Sequence, residues 1–370
     1  MKWLIVLTVI FPWINADAQK SDTIPKYLDQ KLVFTSKAKG VYPAVGIRTT
    51  DGWFLKAMYP DTTVLLMAYF KDKNFRIKNG RYQLYHGRNI KAMTGAYVEN
   101  LAQGVWRYYY SNGQIKDSGL LVNNIMCGTW RSWNEKGRLI ISVDYKKMPD
   151  RSAQTADRRP VKAPLKKSPT VLPEMSPVPG SRDGLALTYH ANGQMQDSGA
   201  YSDDKRTGLW KTWYANGQQD AIGSFNHDSL DGDWTYYRET GNKSTEERYK
   251  NGKLQEMTCY DSAGNKAGNY CSILKPPIAL GPFDEFSEYM LDNVFWPTGL
   301  EGADVQGKVK VQFVITKNGD LMNFKILESP HQLLSDEVTR FFSTIEKWSP
   351  AISHNRAIDY PMQLEVPFYR

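Results

Sequence analysis

Gly104-Val105-Trp106-Arg107-Tyr108-Tyr109-Tyr110-Ser111-Asn112-Gly113 returns 24 residues later as Gly128-Thr129-Trp130-Arg131-Ser132-Trp133-Asn134-Glu135-Lys136-Gly137. The pair recurs further on. Gly208-Leu209-Trp210 leads through Trp213 to Ala215-Asn216-Gly217, and Gly232-Asp233-Trp234 leads through Tyr237 to Glu239-Thr240-Gly241, again 24 residues apart. Asn-Gly between short aromatic runs is a strong hairpin signal, because both central residues of a type I′ turn need positive φ. Each repeat is therefore expected to be one β-hairpin. Degenerate copies extend the pattern: Tyr82 stands one period before Trp106, and Tyr189-His190-Ala191-Asn192-Gly193 one period before Asn216-Gly217. Further turns are expected at Asp51-Gly52, Asp61-Thr62, Asn251-Gly252 and Ala263-Gly264. A lone hairpin is marginal in water, so neighbouring hairpins must pair into longer twisted sheets that stack the Trp of one repeat against the next. Trp106 and Tyr109 differ by an odd number of positions, which in an ideal strand sends them to opposite faces. Either both faces carry aromatic ladders or a bulge intervenes.

The chain has 370 residues, beyond what one hydrophobic core usually serves, so several modules are expected. Residues 1–18 read as a cleavable signal peptide: Lys2, an apolar run over residues 3–14, and small residues at Ala16 and Ala18, with cleavage before Gln19. That run of about 12 residues is shorter than the roughly 20 needed to span a bilayer. Retention of the signal would instead make an anchored inner-membrane form. Export brings oxidising conditions, and the chain has three cysteines, Cys127, Cys259 and Cys271. Cys259 and Cys271 flank a turn-like segment, which favours a disulfide between them with Cys127 left buried; three unpaired thiols satisfy the spacing as well.

Aromatic pair, Asn-Gly turn and the Gly that opens the next copy together resemble the bacterial variant of the MORN repeat. The resemblance covers residues 50–147 and 184–268 and implies spacers, scaffolds or partner-binding surfaces, within hairpin arrays expected over residues 19–147 and 184–275. Between them residues 148–183 carry seven prolines among Lys, Arg, Ser and Thr with no hydrophobic period, and read as a tether.

From residue 276 the pattern changes. Phe286, Tyr289, Met290 and Val294 fall at helical spacing and stop at Trp296-Pro297. Residues 307–315 alternate, with Val309, Val311, Phe313 and Ile315 on one face, as a half-buried strand does. Lys317-Asn318-Gly319-Asp320 supplies a turn into a second strand over 321–327. Ser335-Asp336-Glu337 lies near a helix start, and Leu334, Val338, Phe341, Phe342, Ile345 and Trp348 continue as one apolar stripe up to Pro350. Residues 362–368 are expected to form the last strand, between Pro361 and Pro367. This order, with Trp296-Pro297, Gly307-Lys308-Val309, Lys347-Trp348-Ser349-Pro350-Ala351 and the closing Val366-Pro367-Phe368, resembles the C-terminal domain of TonB over residues 283–370. Asn355-Arg356 departs from the family's Gly before a basic residue, though Asn tolerates left-handed backbone.

The whole is thus expected to be mainly β, two MORN-like hairpin arrays plus an α+β domain of short helices on a three-stranded antiparallel sheet. The second resemblance implies a partner, an outer-membrane receptor peptide or another envelope protein, added as a strand along Gln363, Leu364, Glu365 and Val366. The same strand serves equally well to complete the domain's own sheet or to pair with a second copy as a homodimer. An energy-transducing TonB resembles a rod on an uncleaved inner-membrane helix; here the hairpin arrays stand in its place, so the expectation is a periplasmic adaptor of a Gram-negative envelope. The alternative is an envelope scaffold whose repeats bind protein, lipid or peptidoglycan.

A formal charge of +8 invites a nucleic-acid partner, but the basic residues are spread rather than clustered, and none is expected. Five His residues lie scattered without Cys or carboxylate at metal-ligand spacing, and no nucleophile elbow, phosphate loop or dinucleotide fingerprint occurs. Neither catalytic residues, metal nor cofactor is expected, and Asp203-Asp204 and Glu246-Glu247 read as solvated charge.

Overall fold

The computed structural model describes residues 23–147, 177–267, 271, 274–280 and 286–369. The expected signal peptide with its cleavage at Gln19, and residues 148–176 of the expected tether, lie outside them. The chain divides into two compact units, residues 1–184 and 185–370.

In the first unit, β1 (Thr23–Leu28) pairs with β2 (Phe34–Thr35) on one side and β3 (Tyr42–Thr49) on the other. From β3 the chain runs as an antiparallel meander through β4 (Gly52–Met58), β5 (Val64–Phe70), β6 (Lys78–Gly87), β7 (Ile90–Val98), β8 (Leu101–Tyr109), β9 (Ile115–Val122), β10 (Ile125–Trp133) and β11 (Leu139–Tyr145). The described end of the tether is hydrogen-bonded to this unit: Val178 N–H donates to Asn124 and Lys146 N–H to Ser181. The second unit opens within β12 (Arg182–Tyr189) and continues through β13 (Met195–Ser202), β14 (Lys205–Trp213), β15 (Gln219–Asn226), β16 (Ser229–Tyr237), β17 (Lys243–Lys250) and β18 (Lys253–Cys259).

The repeat works through a Trp and a Gly eleven residues before it. A Cβ on Gly119 would stand 2.2 Å from the Trp130 ring, on Gly199 2.0 Å from Trp210, and on Gly223 2.0 Å from Trp234. Only glycine lets the indole lie flat on the preceding strand. The indole Nε1 of Trp130, Trp210 and Trp234 then donates to the carbonyl of Leu120, Ala200 and Ser224 at 3.0–3.1 Å. Tyr82 occupies the Trp position of its degenerate copy and is 1% exposed, its ring 6.2 Å from that of Trp106.

Two kinds of turn alternate, and they are not distributed as the Asn-Gly motif suggests. Among the repeats, turns with two residues of positive φ, as type I′ requires, are Arg88-Asn89, Glu99-Asn100, Asn123-Asn124, Asp203-Asp204, His227-Asp228 and one Asn-Gly, the expected Asn251-Gly252. At Asn112-Gly113 only the Gly has positive φ, and the loop closes through Gly113 N–H to Tyr110 and Tyr110 N–H to Gln114. Asn112 instead links neighbouring repeats, its amide donating to the Glu135 carbonyl one repeat on, as Asn192 does to Ala215 and Asn216 to Glu239.

A bulge does intervene, on the strand that faces the aromatic pair. Tyr108 pairs with Asp117 but Tyr109 with Ile115, leaving Lys116 extra; Asp220 and Ser244 are the extra residues at the equivalent places. Trp106 and Tyr108 share the core face, where their rings stack, while Tyr109, at odd spacing, is partly exposed.

The C-terminal part of the second unit contains β19 (Leu274–Lys275), β20 (Ile278–Leu280), α1 (Phe286–Asn293), β21 (Gly307–Ile315), β22 (Leu321–Glu328), α2 (Gln332–Ser343), β23 (Lys347–Ser349), β24 (Ala351–Ser353), β25 (Arg356–Ile358) and β26 (Tyr360–Phe368). Its main sheet is antiparallel in the order β22-β21-β26. Val309, Val311, Phe313 and Ile315 of β21 pack against Leu334, Val338, Phe341 and Phe342 of α2. Two expectations need correction. The helix starts earlier, capped by His331, whose ring accepts from Leu333 N–H, and it ends at Ser343. Trp348 therefore lies not on the helical stripe but on β23, paired to Ala279 of β20 and 2% exposed.

Candidate partner-binding edge and hairpin seat

β26 lies at the margin of its sheet: it pairs along its whole length with β21, and among the described residues no other strand pairs with it. Leu364 and Val366 point into the core shared with α2, while Gln363 and Glu365 are exposed on the opposite face. Glu365 meets Lys308 of β21 at 2.7 Å. That hydrogen bond and charge hold the Glu365 carboxyl below the usual range and raise the Lys308 ammonium. Pro361 and Pro367 have no N–H to give β21 and are tolerated where the nitrogen faces outward. They share the phase of Gln363 and Glu365, so that set carries the backbone groups that point away from the sheet. Between the prolines the margin offers two amide donors, those of Gln363 and Glu365.

A second site lies where the last repeats meet the β24–β25 hairpin. His354 and Asn355 turn it with φ of 49° and 57°, the type I′ geometry that Asn sustains in place of Gly. The Arg356 guanidinium reaches the Asp220 carboxylate and donates to the Tyr214 hydroxyl and Tyr237 carbonyl, each at 2.7 Å. The His354 ring stacks on Tyr236, centroids 3.6 Å apart. Arg238 donates to the Asn355 carbonyl at 2.9 Å and Ser244 to that of His354 at 2.7 Å. The bulge residues Asp220 and Ser244 are thus both contact points.

Glu247 completes the seat. Its side chain is wholly buried, and its carboxylate lies 2.9 Å from His354 Nδ1 while accepting from Thr245 and Tyr249. Burial pushes its carboxyl up, but the hydrogen bonds from His354, Tyr249 and Thr245 outweigh this and hold it below the usual range. The sequence reads Glu247 as solvated, which the structure corrects. The missed signal is positional. Gly119 and Gly223 face Trp106 and Trp210 across their strands, where Glu247 faces Trp234. No further Trp follows to need the space, and a carboxylate fills it.

Cys259, at the end of β18, is bonded to Cys271 with Cα atoms 5.9 Å apart, and Cys127 is free and buried. The remaining histidines serve locally: His86 and His190 bond the carbonyls of Tyr109 and Trp213, and His227 sits in a turn. Among the described residues no cluster of His, Cys, Asp and Glu could hold a metal ion, and no helix is long and apolar enough to cross a membrane.

Residues 293–369 match the family model for the C-terminal domain of the Gram-negative bacterial TonB protein, and residues 102–123 and 206–227 match that for the MORN repeat variant. The chain therefore combines MORN-variant repeats with a TonB-type C-terminal domain, and neither is a catalytic family. No curated protein matches the chain.

Proposed function

We propose that this chain is a non-catalytic adaptor of the Gram-negative envelope whose β26 margin takes up an extended segment of an outer-membrane receptor or another envelope protein. The position of β26 at its sheet's edge, with Gln363 and Glu365 in the outward phase, supports the reading most directly. In strand addition main-chain hydrogen bonds give affinity and alternate side chains give selectivity. The flanking prolines limit the added strand to a short register, and the Glu365–Lys308 pair places mixed charge beside it. Export with the signal removed, and the Cys259–Cys271 disulfide as a mark of an oxidising compartment, belong to the same proposal.

The test is recovery of envelope proteins by the full chain and by Glu365→Pro, which deletes one of the two outward donors where proline is already tolerated on either side. Wild type should retain an outer-membrane receptor and the variant lose it. Equal recovery by both, or self-association as the sole product, would sink receptor binding by this edge. The seat of the β24–β25 hairpin favours a second reading, an envelope scaffold in which the TonB-type domain is an assembly module held by the repeats. N-terminal sequencing of the mature protein separates soluble from anchored forms, with Gln19 the expected first residue.

A further inference from the structure

In the first unit a cleft of about 500 Å³ opens over the bulge row, lined among others by Leu65, Ala92 and Lys116. Superposing Trp234 on Trp106 shifts every position by 128 residues and lays the hairpin seat of the second unit onto this cleft. Tyr214, Tyr236 and Tyr237 become His86, Tyr108 and Tyr109, while the bulge residues Asp220 and Ser244 become Ala92 and Lys116. We propose that the cleft docks a β-turn of a partner polypeptide, one that presents a ring side chain where His354 sits in the second unit and an apolar side chain where Arg356 sits.

Three features of the seat are kept. The Tyr108 ring stacks on Trp106 with centroids 6.2 Å apart, as Tyr236 does on Trp234 at 5.8 Å, so the same ring face is offered. His86 Nε2 lies 2.9 Å from the Tyr109 carbonyl, as the Tyr214 hydroxyl donates to Tyr237 at 2.7 Å. Lys116, exposed at the rim, brings a donor to the place from which Ser244 holds the turn's carbonyl.

Glu247 and Arg238 of the seat become Gly119, whose space the Trp130 ring fills, and Tyr110, and two further changes set the ligand. Ala92 removes the carboxylate that receives the Arg356 guanidinium, and the surrounding wall of Leu32, Leu65, Leu84 and Met93 is apolar. Asp117, the one carboxylate on that wall, already accepts from Ser132 at 2.6 Å. A guanidinium brought here would keep the Tyr109 carbonyl but find no carboxylate at the bulge position, whereas an apolar side chain would bury against Leu and Met. The chain's own hairpin is matched to the second seat and mismatched to the first. This site is separate from the β26 margin, and its failure leaves strand addition untouched.

The experiment uses the full chain and two disulfide-closed hairpin peptides, one with the sequence of residues 352–358 and one with its Arg356→Leu change, followed by the methyl resonance of Met93. The Leu peptide should shift that methyl with an affinity about tenfold above the Arg peptide, the size of one charge-assisted hydrogen bond. Ala92→Asp should reverse the preference by a similar factor, and Asp220 at the equivalent place shows that the fold accepts a carboxylate there. Lys116→Glu, a milder change at the exposed rim, should weaken the Leu peptide several-fold. Absence of any Met93 shift with either peptide, or affinities indifferent to residues 92 and 116, would overturn the proposal.

Discussion

The two units carry the same ladder and end it differently. In both, an indole lies on a glycine of the preceding strand, bulges recur before the next strand, and Tyr or His side chains bond a carbonyl 23 residues ahead. In the second unit the bulge row is polar and charged, Asp220 and Ser244, and it grips the β24–β25 hairpin. In the first it is Leu65, Ala92 and Lys116, and it lines a cleft. The ladder fixes where a docking surface lies; one or two residues outside the ladder fix what can sit on it.

The largest effect should come from the shared element. Trp106→Ala and Trp234→Ala remove equivalent supports and should each cost about 4 kcal/mol, read from denaturant unfolding. A cost confined to one of them would show that the ladders are not equivalent. Next is the element that differs. Glu247→Ala strands His354 and two hydroxyls in a buried seat and should cost about 3 kcal/mol, with the β24–β25 hairpin losing amide protection first. The pH dependence has a definite sign. Because the folded state holds the Glu247 carboxyl below its ordinary value, its contribution is present above that value and lost as pH falls through the lower folded one. Acid should therefore loosen the hairpin seat of the second unit before it affects the first unit's cleft, which lacks this buried carboxylate; a parallel loss in both would contradict it.

The smallest effect sharpens the ladder itself. Trp210 donates its Nε1 to Ala200, whereas among the described residues the buried Nε1 of Trp106 meets no acceptor. Replacing each by Phe should cost about 1 kcal/mol more at 210 than at 106. Equal costs would mean that the indole hydrogen bond contributes nothing to the stack.

Periodicity and the order of C-terminal elements are legible in the sequence because they are repeated or strongly patterned: Trp every 24 residues, and alternation over Gly307–Ile315 that the structure reproduces as β21. Turn chemistry is legible only in kind. Asn-Gly does mark a hairpin, but Asn112 is kept for its amide contact to the next repeat and Gly113 alone needs positive φ. The end of α2 is hidden because Ile345 and Trp348 continue its apolar spacing, while the contact that decides Trp348 is a pairing with Ala279, nearly seventy residues away. Glu247 is hidden for the same reason. A charged residue in a strand is ordinarily solvated, and its partner His354 stands more than a hundred residues later.

The central proposal, a sheet margin that accepts a foreign strand, is tested most directly by backbone amide exchange at Gln363 and Glu365. The full chain would be measured with and without a synthetic peptide copying the periplasm-facing extended segment of an outer-membrane receptor. Those two amides should exchange freely alone and become protected on binding, while Leu364 and Val366, bonded to β21, change little. Exchange at Gln363 and Glu365 that is already slow without peptide, or unaltered by a peptide shown to bind, would contradict strand addition at β26.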